Sequence, residues 1–155
     1  MGTIKAFIET TIFNRYFEEH REYNLETQRF FHSVATQIIL PYTSVYVIDE
    51  IVNAPQLKKE KMLELIKKHD VVILNKSDDI IELADIYVKS GLIPPKFRFD
   101  AIHIASSTIH NMDCIISLNF QHINKIHVKN ALGPINTILG YSTPTICTPG
   151  EVIYE

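Results

Sequence analysis

Short β-branched runs alternate along the chain with longer segments in which apolar residues recur at helical spacing. The short runs predict five strands, at residues 4–8, 37–42, 71–74, 114–117 and 145–147. The longer segments predict helices between the strands, the most regular at residues 25–34, 57–68, 80–88, 99–110 and 126–139. Because helices separate successive strands, the pattern predicts a parallel sheet flanked by helices.

Residues with special backbone preferences mark the ends of the predicted helices. Thr43 or Ser44 is suited to cap the helix after the second strand, and Pro55 breaks that helix. Gly91 ends the helix at 80–88, and the Gly133-Pro134 pair predicts an interruption within 126–139. Apolar spacing places several side chains on inward-facing stripes, among them Ile12, Phe13, Tyr16, Phe17, Phe30, Phe31, Val45, Ile48, Val52, Leu57, Met62, Ile102 and Ala105.

Length and composition predict one folded domain spanning residues 1–155, since 46% of the 155 residues are hydrophobic and 21% are charged. No apolar run approaches the roughly 20 residues of a membrane-spanning helix. Two cysteines are too few for a disulfide scaffold, so we expect a soluble, cytoplasmic protein. The formal net charge of −3 disfavours binding of nucleic acid through a broad positive surface. Binding through metal ions held by carboxylates stays open.

Four oxygen-bearing side chains are placed to meet at one edge of the predicted sheet. Glu9 ends the first strand, and Asn119 directly follows the fourth. Glu50 lies on the helix that leaves the second strand, and Asp100 lies in the first turn of the helix that leads into the fourth. Ligands of parallel sheets collect at the carboxyl ends of the strands, so these side chains are candidates for a single site.

Three carboxylates in one place repel one another unless a cation joins them. Oxygen ligands without cysteine or histidine suit a hard cation such as Mg²⁺ or Mn²⁺, which can activate water and neutralise a phosphodiester. Each acid also has a simpler interpretation: Asp100 can serve the helix dipole, Glu50 can be a surface residue, and Glu9 can mark a helix entry. Spacing alone leaves both interpretations open.

Four segments resemble, in the right order, the motifs of the PIN-domain family. They are residues 4–13, where Glu9 and Thr10 close the first strand; 43–51, with the helical Glu50; 99–105, with Asp100; and 114–123, with Asn119. The resemblance covers nearly the whole chain. It implies a three-layer α/β/α sandwich whose five-stranded parallel sheet has the order 3-2-1-4-5.

The resemblance also implies metal-dependent RNA cleavage, as in the toxin halves of bacterial and archaeal toxin–antitoxin pairs. Glu9, Glu50 and Asp100 would hold Mg²⁺ or Mn²⁺ and, with Asn119, form the catalytic set. Thr10 would steady the first motif or touch the substrate. Glu9 stands where the family more often has aspartate, and Asn119 stands where many relatives have a further aspartate, so it offers only a neutral carbonyl oxygen.

Positive and histidine side chains near these motifs are candidates for contacts with the substrate. Arg15 could meet RNA phosphates, with solvated surface charge as the equal alternative. His122, three residues after Asn119, could reach the site or be structural. His103, one helical turn from Asp100, is interpreted as a structural histidine.

The aromatic and sulfur-bearing residues are assigned to the interior. Phe97, Phe99 and Phe120 lie at core-like spacings, which favours packing over a base-stacking surface. Cys114 and Cys147 fall on neighbouring strands of the implied order and are predicted to be buried, reduced thiols.

The favoured hypothesis is a metal-dependent endoribonuclease that acts as the toxin of a type II toxin–antitoxin pair. Its implied partners are an RNA substrate, a cognate antitoxin protein and a second copy of the chain. The alternative is a catalytically weak PIN-like module that binds RNA or a protein, which Asn119 keeps open. A receiver-like phosphoacceptor is disfavoured, because the acid pair beside the first strand is absent.

Overall fold

Five strands form one parallel sheet in the computed structural model, which describes residues 3–36 and 38–153. The strands are β1 (Ile4–Ile8), β2 (Ile39–Ser44), β3 (Val72–Leu74), β4 (Cys114–Ile116) and β5 (Thr145–Cys147). All four pairings are parallel, and the order across the sheet is β3-β2-β1-β4-β5. The predicted α/β architecture and strand order 3-2-1-4-5 are therefore confirmed.

Helices connect the strands: α1 (Thr10–Arg15), α2 (Asn24–Ala35), α3 (Val45–Val52), α4 (Gln56–Lys68), α5 (Asp78–Lys89), α6 (Arg98–Ile109) and α7 (Ile126–Leu139). Ser44 is the N-cap of α3, since its Oγ accepts a hydrogen bond from Val47 N at 3.3 Å. Gly91 follows α5 with a φ of +83°, as the predicted helix stop requires. None of the described helices is long and apolar enough to cross a membrane.

The second strand and the first helix differ from the prediction in their bounds. The second strand runs over Ile39–Ser44 rather than 37–42, because its last residues pair with β3, and Gln37 lies outside the described residues. The first helix ends at Arg15, so Tyr16 and Phe17 lie in the turn that follows.

The predicted interruption of the last helix is wrong. Helix α7 continues through Gly133 and Pro134 as far as Leu139. Pro134 removes the hydrogen bond that the Asn130 carbonyl would accept. Pro134 and Asn130 are both exposed, so water can satisfy that carbonyl.

The core lies on both faces of the central strands, and α6 is buried on nearly every side. Ala6, Phe7 and Ile8 of β1 are fully buried, as are all residues from Ala101 to Thr108. The inward stripe predicted for α3 is wrong, since Tyr46, Val47 and Ile51 are the buried residues and Val52 is half exposed; Leu57 is exposed as well. A short, mostly apolar helix carries too little polarity contrast to reveal its buried face.

A buried polar network joins α5, α6 and α7. The Tyr87 hydroxyl donates to Asn136 Oδ1 at 2.6 Å and lies 3.1 Å from Thr108 Oγ1. Burial raises the pKa of Tyr87 to about 12, so the phenol keeps its proton at physiological pH. The network therefore satisfies a fully buried asparagine in the apolar interior.

We expect Tyr87→Phe to lower the free energy of unfolding by about 1–3 kcal/mol, because Asn136 loses the donor to its buried carbonyl oxygen. Urea denaturation measures the change. Tyr42→Phe on β2 is the matched control, since its hydroxyl makes no hydrogen bond to the described residues. Equal losses in the two variants would contradict a contribution from the network.

Candidate active site

The carboxyl edge of the sheet gathers the acidic residues from distant parts of the chain. Glu9 directly follows β1, Glu50 lies on α3, Asp100 lies in the first turn of α6, and Asn119 lies just beyond β4. The charge of Glu50 acts on both Glu9 and Asp100, and the Asn119 side chain lies near Asp100. The structure thus brings together the four side chains that the topology predicted to converge.

Glu9 is almost completely buried and serves as a hydrogen-bond hub. Its Oε1 accepts from Thr11 Oγ1 and from Ser117 Oγ, both at 2.6 Å, and its Oε2 accepts from Thr11 N at 3.2 Å. The same hydroxyls accept from the backbone N–H groups of Leu118 and Asn119. Glu9 therefore caps α1 and also fixes the segment that carries Asn119.

Glu50 is held by two groups at a single oxygen. Thr10 Oγ1 donates to Glu50 Oε1 at 2.6 Å, and His103 Nε2 bonds to the same atom. The second oxygen, Oε2, has no hydrogen-bond partner among the described residues, and about one third (35%) of the side chain is exposed. One carboxylate oxygen is thus anchored while the other is free for an external ligand.

His103 lies within the acidic group, although the sequence interpretation treated it as structural only. The side chain is fully buried, and its Nδ1 has no partner among the described residues. Burial favours the neutral ring, but the hydrogen bond and charge of Glu50, together with Glu9 and Asp100, raise the pKa of His103 above its usual value. The imidazolium form supplies positive charge among three carboxylates.

The same surroundings move the pKa values of the acids in different directions. Burial raises the pKa of Glu9, and burial with repulsion from Glu50 raises that of Asp100, although nearby histidines oppose both shifts. Burial also disfavours ionised Glu50, but the hydrogen bond and charge of His103 outweigh it and lower the pKa of Glu50. The surroundings therefore disfavour the ionised forms of Glu9 and Asp100 and favour that of Glu50.

The predicted substrate contacts lie around a cleft beside these acids. The cleft has a volume of about 900 Å³, and Asp100, Asn119, Arg15 and His122 are among its lining residues. The His122 ring stacks on Phe97 with centroids 3.6 Å apart, and its backbone N–H donates to Asn119 Oδ1. Arg15 is engaged internally, since its guanidinium binds Glu18 Oε1 and the Glu22 carbonyl oxygen.

The predicted interior packing is wrong for two of the phenylalanines. Phe99 is 55% exposed and Phe120 is 42% exposed, whereas Phe97 is partly buried against the core. Phe120 follows β4 in a loop, where apolar spacing carries no information about burial. The prediction for sulfur is confirmed: Cys114 and Cys147 are free and buried on neighbouring strands.

The donor chemistry of the acidic group suits a hard divalent cation. Carboxylate oxygens predominate, and Glu50 and Asp100 are both only partly buried. Across residues 3–36 and 38–153, no three His, Cys, Asp or Glu side chains are grouped closely enough to form a ready-made metal cage. Assembly of a metal site would therefore require the carboxylates to move toward the ion.

Several groups at the site carried no sequence signal that pointed to chemistry. Thr11 and Ser117 are common hydroxyl residues at strand ends, and only the fold reveals that both donate to Glu9. For His103 the available signal was its helical spacing from Asp100. The roles predicted for Thr10, Arg15 and His122 toward a substrate stay predictions.

Comparison with known proteins identifies the fold through structure alone. The sequence matches no protein-family model and no curated protein. Similar solved structures include a toxin–antitoxin complex from Klebsiella pneumoniae, with a TM-score of 0.60, 18% identity, and coverage of 93% of this chain and 97% of that one. The structure of VapBC2 from Rickettsia felis, bound to a DNA fragment from its promoter, gives a TM-score of 0.59 and 12% identity over 94% and 98% of the two chains.

A third similar structure is VapC20 from Mycobacterium tuberculosis, a toxin that cleaves the sarcin–ricin loop. It gives a TM-score of 0.54 and 11% identity over 88% of this chain and 96% of that one. At such low identity the likeness concerns the fold, and it confirms the PIN-like α/β/α architecture that the four motifs implied.

Proposed function

We propose that the protein is a metal-dependent endoribonuclease, uses Mg²⁺ or Mn²⁺, and acts as the toxin of a type II toxin–antitoxin pair. The observation that carries the proposal is the convergence of Glu9, Glu50 and Asp100 around the buried His103 at the carboxyl edge of the sheet. The fold is shared with solved toxin–antitoxin complexes and with a toxin that cleaves the sarcin–ricin loop. A cognate antitoxin and a second copy of the chain are the proposed protein partners.

In this proposal Glu9, Glu50 and Asp100 hold the metal ion. A bound divalent ion neutralises phosphodiester charge and lowers the pKa of water, which supplies the nucleophile for hydrolysis. Thr10 and His103 fix one oxygen of Glu50 and leave the other available, and the neutral Asn119 side chain lies near Asp100. Such anchoring of ligand side chains is the usual role of groups behind a metal site.

The alternative is a catalytically weak module that binds RNA or a protein partner. Two observations favour it: Asn119 carries no charge, and no ready-made metal cage exists among the described residues. The two functions differ in what a metal ion does to RNA incubated with the protein.

Incubation of a labelled RNA pool with the wild-type protein tests the proposal. We expect cleavage in Mn²⁺ or Mg²⁺, no cleavage in EDTA, and recovery of cleavage when excess Mn²⁺ is restored. Retention of intact RNA in every metal, by a protein whose circular dichroism reports a folded state, would contradict the nuclease and favour the binding module. Cleavage that persists in EDTA would contradict metal dependence.

A further inference from the structure

The cleft beside the acidic group carries two aromatic pairs. Tyr23 and Phe120 pack with ring centroids 5.4 Å apart and planes tilted by 41°. Phe97 and His122 stack at 3.6 Å with planes 24° apart. All four line the cleft together with Asp100, so the aromatic surface is continuous with the candidate active site.

Phe120 presents an exposed ring that packing does not explain. It is 42% exposed while Tyr23 supports one side of it. Tyr23 has a φ of +67°, in the left-handed region that bulky residues rarely adopt. Tyr23 also occupies the N-cap position of α2, where its carbonyl oxygen accepts hydrogen bonds from the N–H and the hydroxyl of Thr27. The same conformation places the Tyr23 ring against Phe120.

The charges around the cleft largely cancel. Arg15 and Arg21 both pair with Glu18, at 3.1 and 2.6 Å. A phosphate backbone therefore meets few unpaired cations here, in keeping with the net charge of −3. Recognition in such a cleft must depend on surfaces other than positive charge.

We propose that Phe120 provides a base-stacking position in the cleft, on which an unpaired base of the bound RNA stacks next to the cleaved bond. The inference rests on the proposed function and assigns Phe120 as a residue that contacts the substrate. Aromatic side chains bind unpaired bases by stacking, whereas the bases of a duplex are already stacked on one another. The cleft volume of about 900 Å³ lies in the range that accommodates groups of nucleotide size.

Binding of an oligoribonucleotide that carries 2-aminopurine tests the proposal, in EDTA so that the strand stays intact. The wild-type protein should quench the fluorescence of the single strand, and the same oligomer annealed to its complement should bind much more weakly. Phe120→Ala should weaken single-strand binding about tenfold, and Phe120→Tyr should restore it. Phe99→Ala is the matched control, because Phe99 is also exposed but does not line the cleft.

Cleavage of the same strand in Mn²⁺ separates this proposal from the proposed function. A Phe120→Ala affinity equal to that of Phe99→Ala, or equal affinity for single strand and duplex, overturns the stacking proposal even when cleavage proceeds. Loss of cleavage with the expected binding pattern overturns the nuclease and leaves the stacking site standing. When the wild-type protein cleaves the strand and also shows the expected binding pattern, Phe120→Ala should raise KM about tenfold with kcat nearly unchanged.

The salt dependence of single-strand affinity gives an independent readout. Since each phosphate neutralised contributes about −0.7 to the slope of log affinity against log salt, binding by stacking predicts a slope shallower than about −1. A slope of about −3 or steeper would assign the affinity to cations and overturn the proposal.

Discussion

Replacing Asp100 with asparagine is expected to slow RNA cleavage at least about 100-fold, because the metal ion supplies several kcal/mol of charge stabilisation and loses one carboxylate ligand. The fold should tolerate the change. Burial and repulsion from Glu50 raise the pKa of Asp100, so its ionised form at neutral pH reduces folding stability relative to a neutral side chain. Asparagine is neutral, and we expect a thermal midpoint at or above that of the wild type.

The combination of lost activity with retained or increased stability distinguishes a functional acid from a structural one. Asp85→Asn is the matched control, since Asp85 forms an exposed ion pair with Arg98 and lies outside the acidic group. Cleavage by Asp85→Asn should match the wild type. An Asp100→Asn protein that still cleaves at more than half the wild-type rate, or that loses activity only because it unfolds, would contradict the assignment.

Much of the fold could be predicted because local signals agreed with the tertiary structure. The alternation of strand and helix patterns indicated a parallel sheet, and Ser44 and Gly91 lie at helix ends as their chemistry predicts. The failures came from residues whose state depends on context. Pro134 continues a helix because its lost hydrogen bond faces water, and Val52 is exposed because tertiary packing selects the other face of α3.

The placement of the acidic side chains at one edge could likewise be predicted from topology, since the carboxyl ends of parallel strands lie at the same edge of the sheet. His103 could not, because a histidine inside a helix has the same local pattern whether it packs in the core or pairs with Glu50. Phe120 was misplaced for a similar reason: nothing in a loop sequence tells which side of an aromatic ring is covered. The surroundings of His103 and Phe120 are set by contacts between distant parts of the chain, which local sequence patterns do not reveal.

Glu9 poses a sharper question, because its carboxylate already serves the protein internally. Three hydrogen bonds from Thr11 and Ser117 occupy its oxygens, and they tie the end of β1 to the segment after β4. A metal ligand and an internal hydrogen-bond acceptor differ in what they require of the same side chain. The internal hydrogen bonds need acceptor oxygens, whereas a metal ligand also needs negative charge.

We expect Glu9→Ala to lower the free energy of unfolding by about 2–4 kcal/mol, because the buried Ser117 hydroxyl, the partly buried Thr11 hydroxyl and a helix cap lose their acceptor. Glu9→Gln keeps an acceptor oxygen and avoids the cost of a buried charge, and the loss should be about 1 kcal/mol or less. Urea denaturation measures both, with the exposed Glu82→Gln on α5 as the control.

The activity of Glu9→Gln then separates the role of metal ligand from that of internal hydrogen-bond acceptor, because this variant retains an acceptor oxygen and removes the charge. If Glu9 is a metal ligand, Glu9→Gln should cleave RNA at least about tenfold more slowly than the wild type at low Mn²⁺. Cleavage should recover in part as the Mn²⁺ concentration rises. Wild-type cleavage at every Mn²⁺ concentration would instead restrict Glu9 to positioning Asn119 through Ser117. Glu50 and Asp100 would then be the carboxylates that hold the ion.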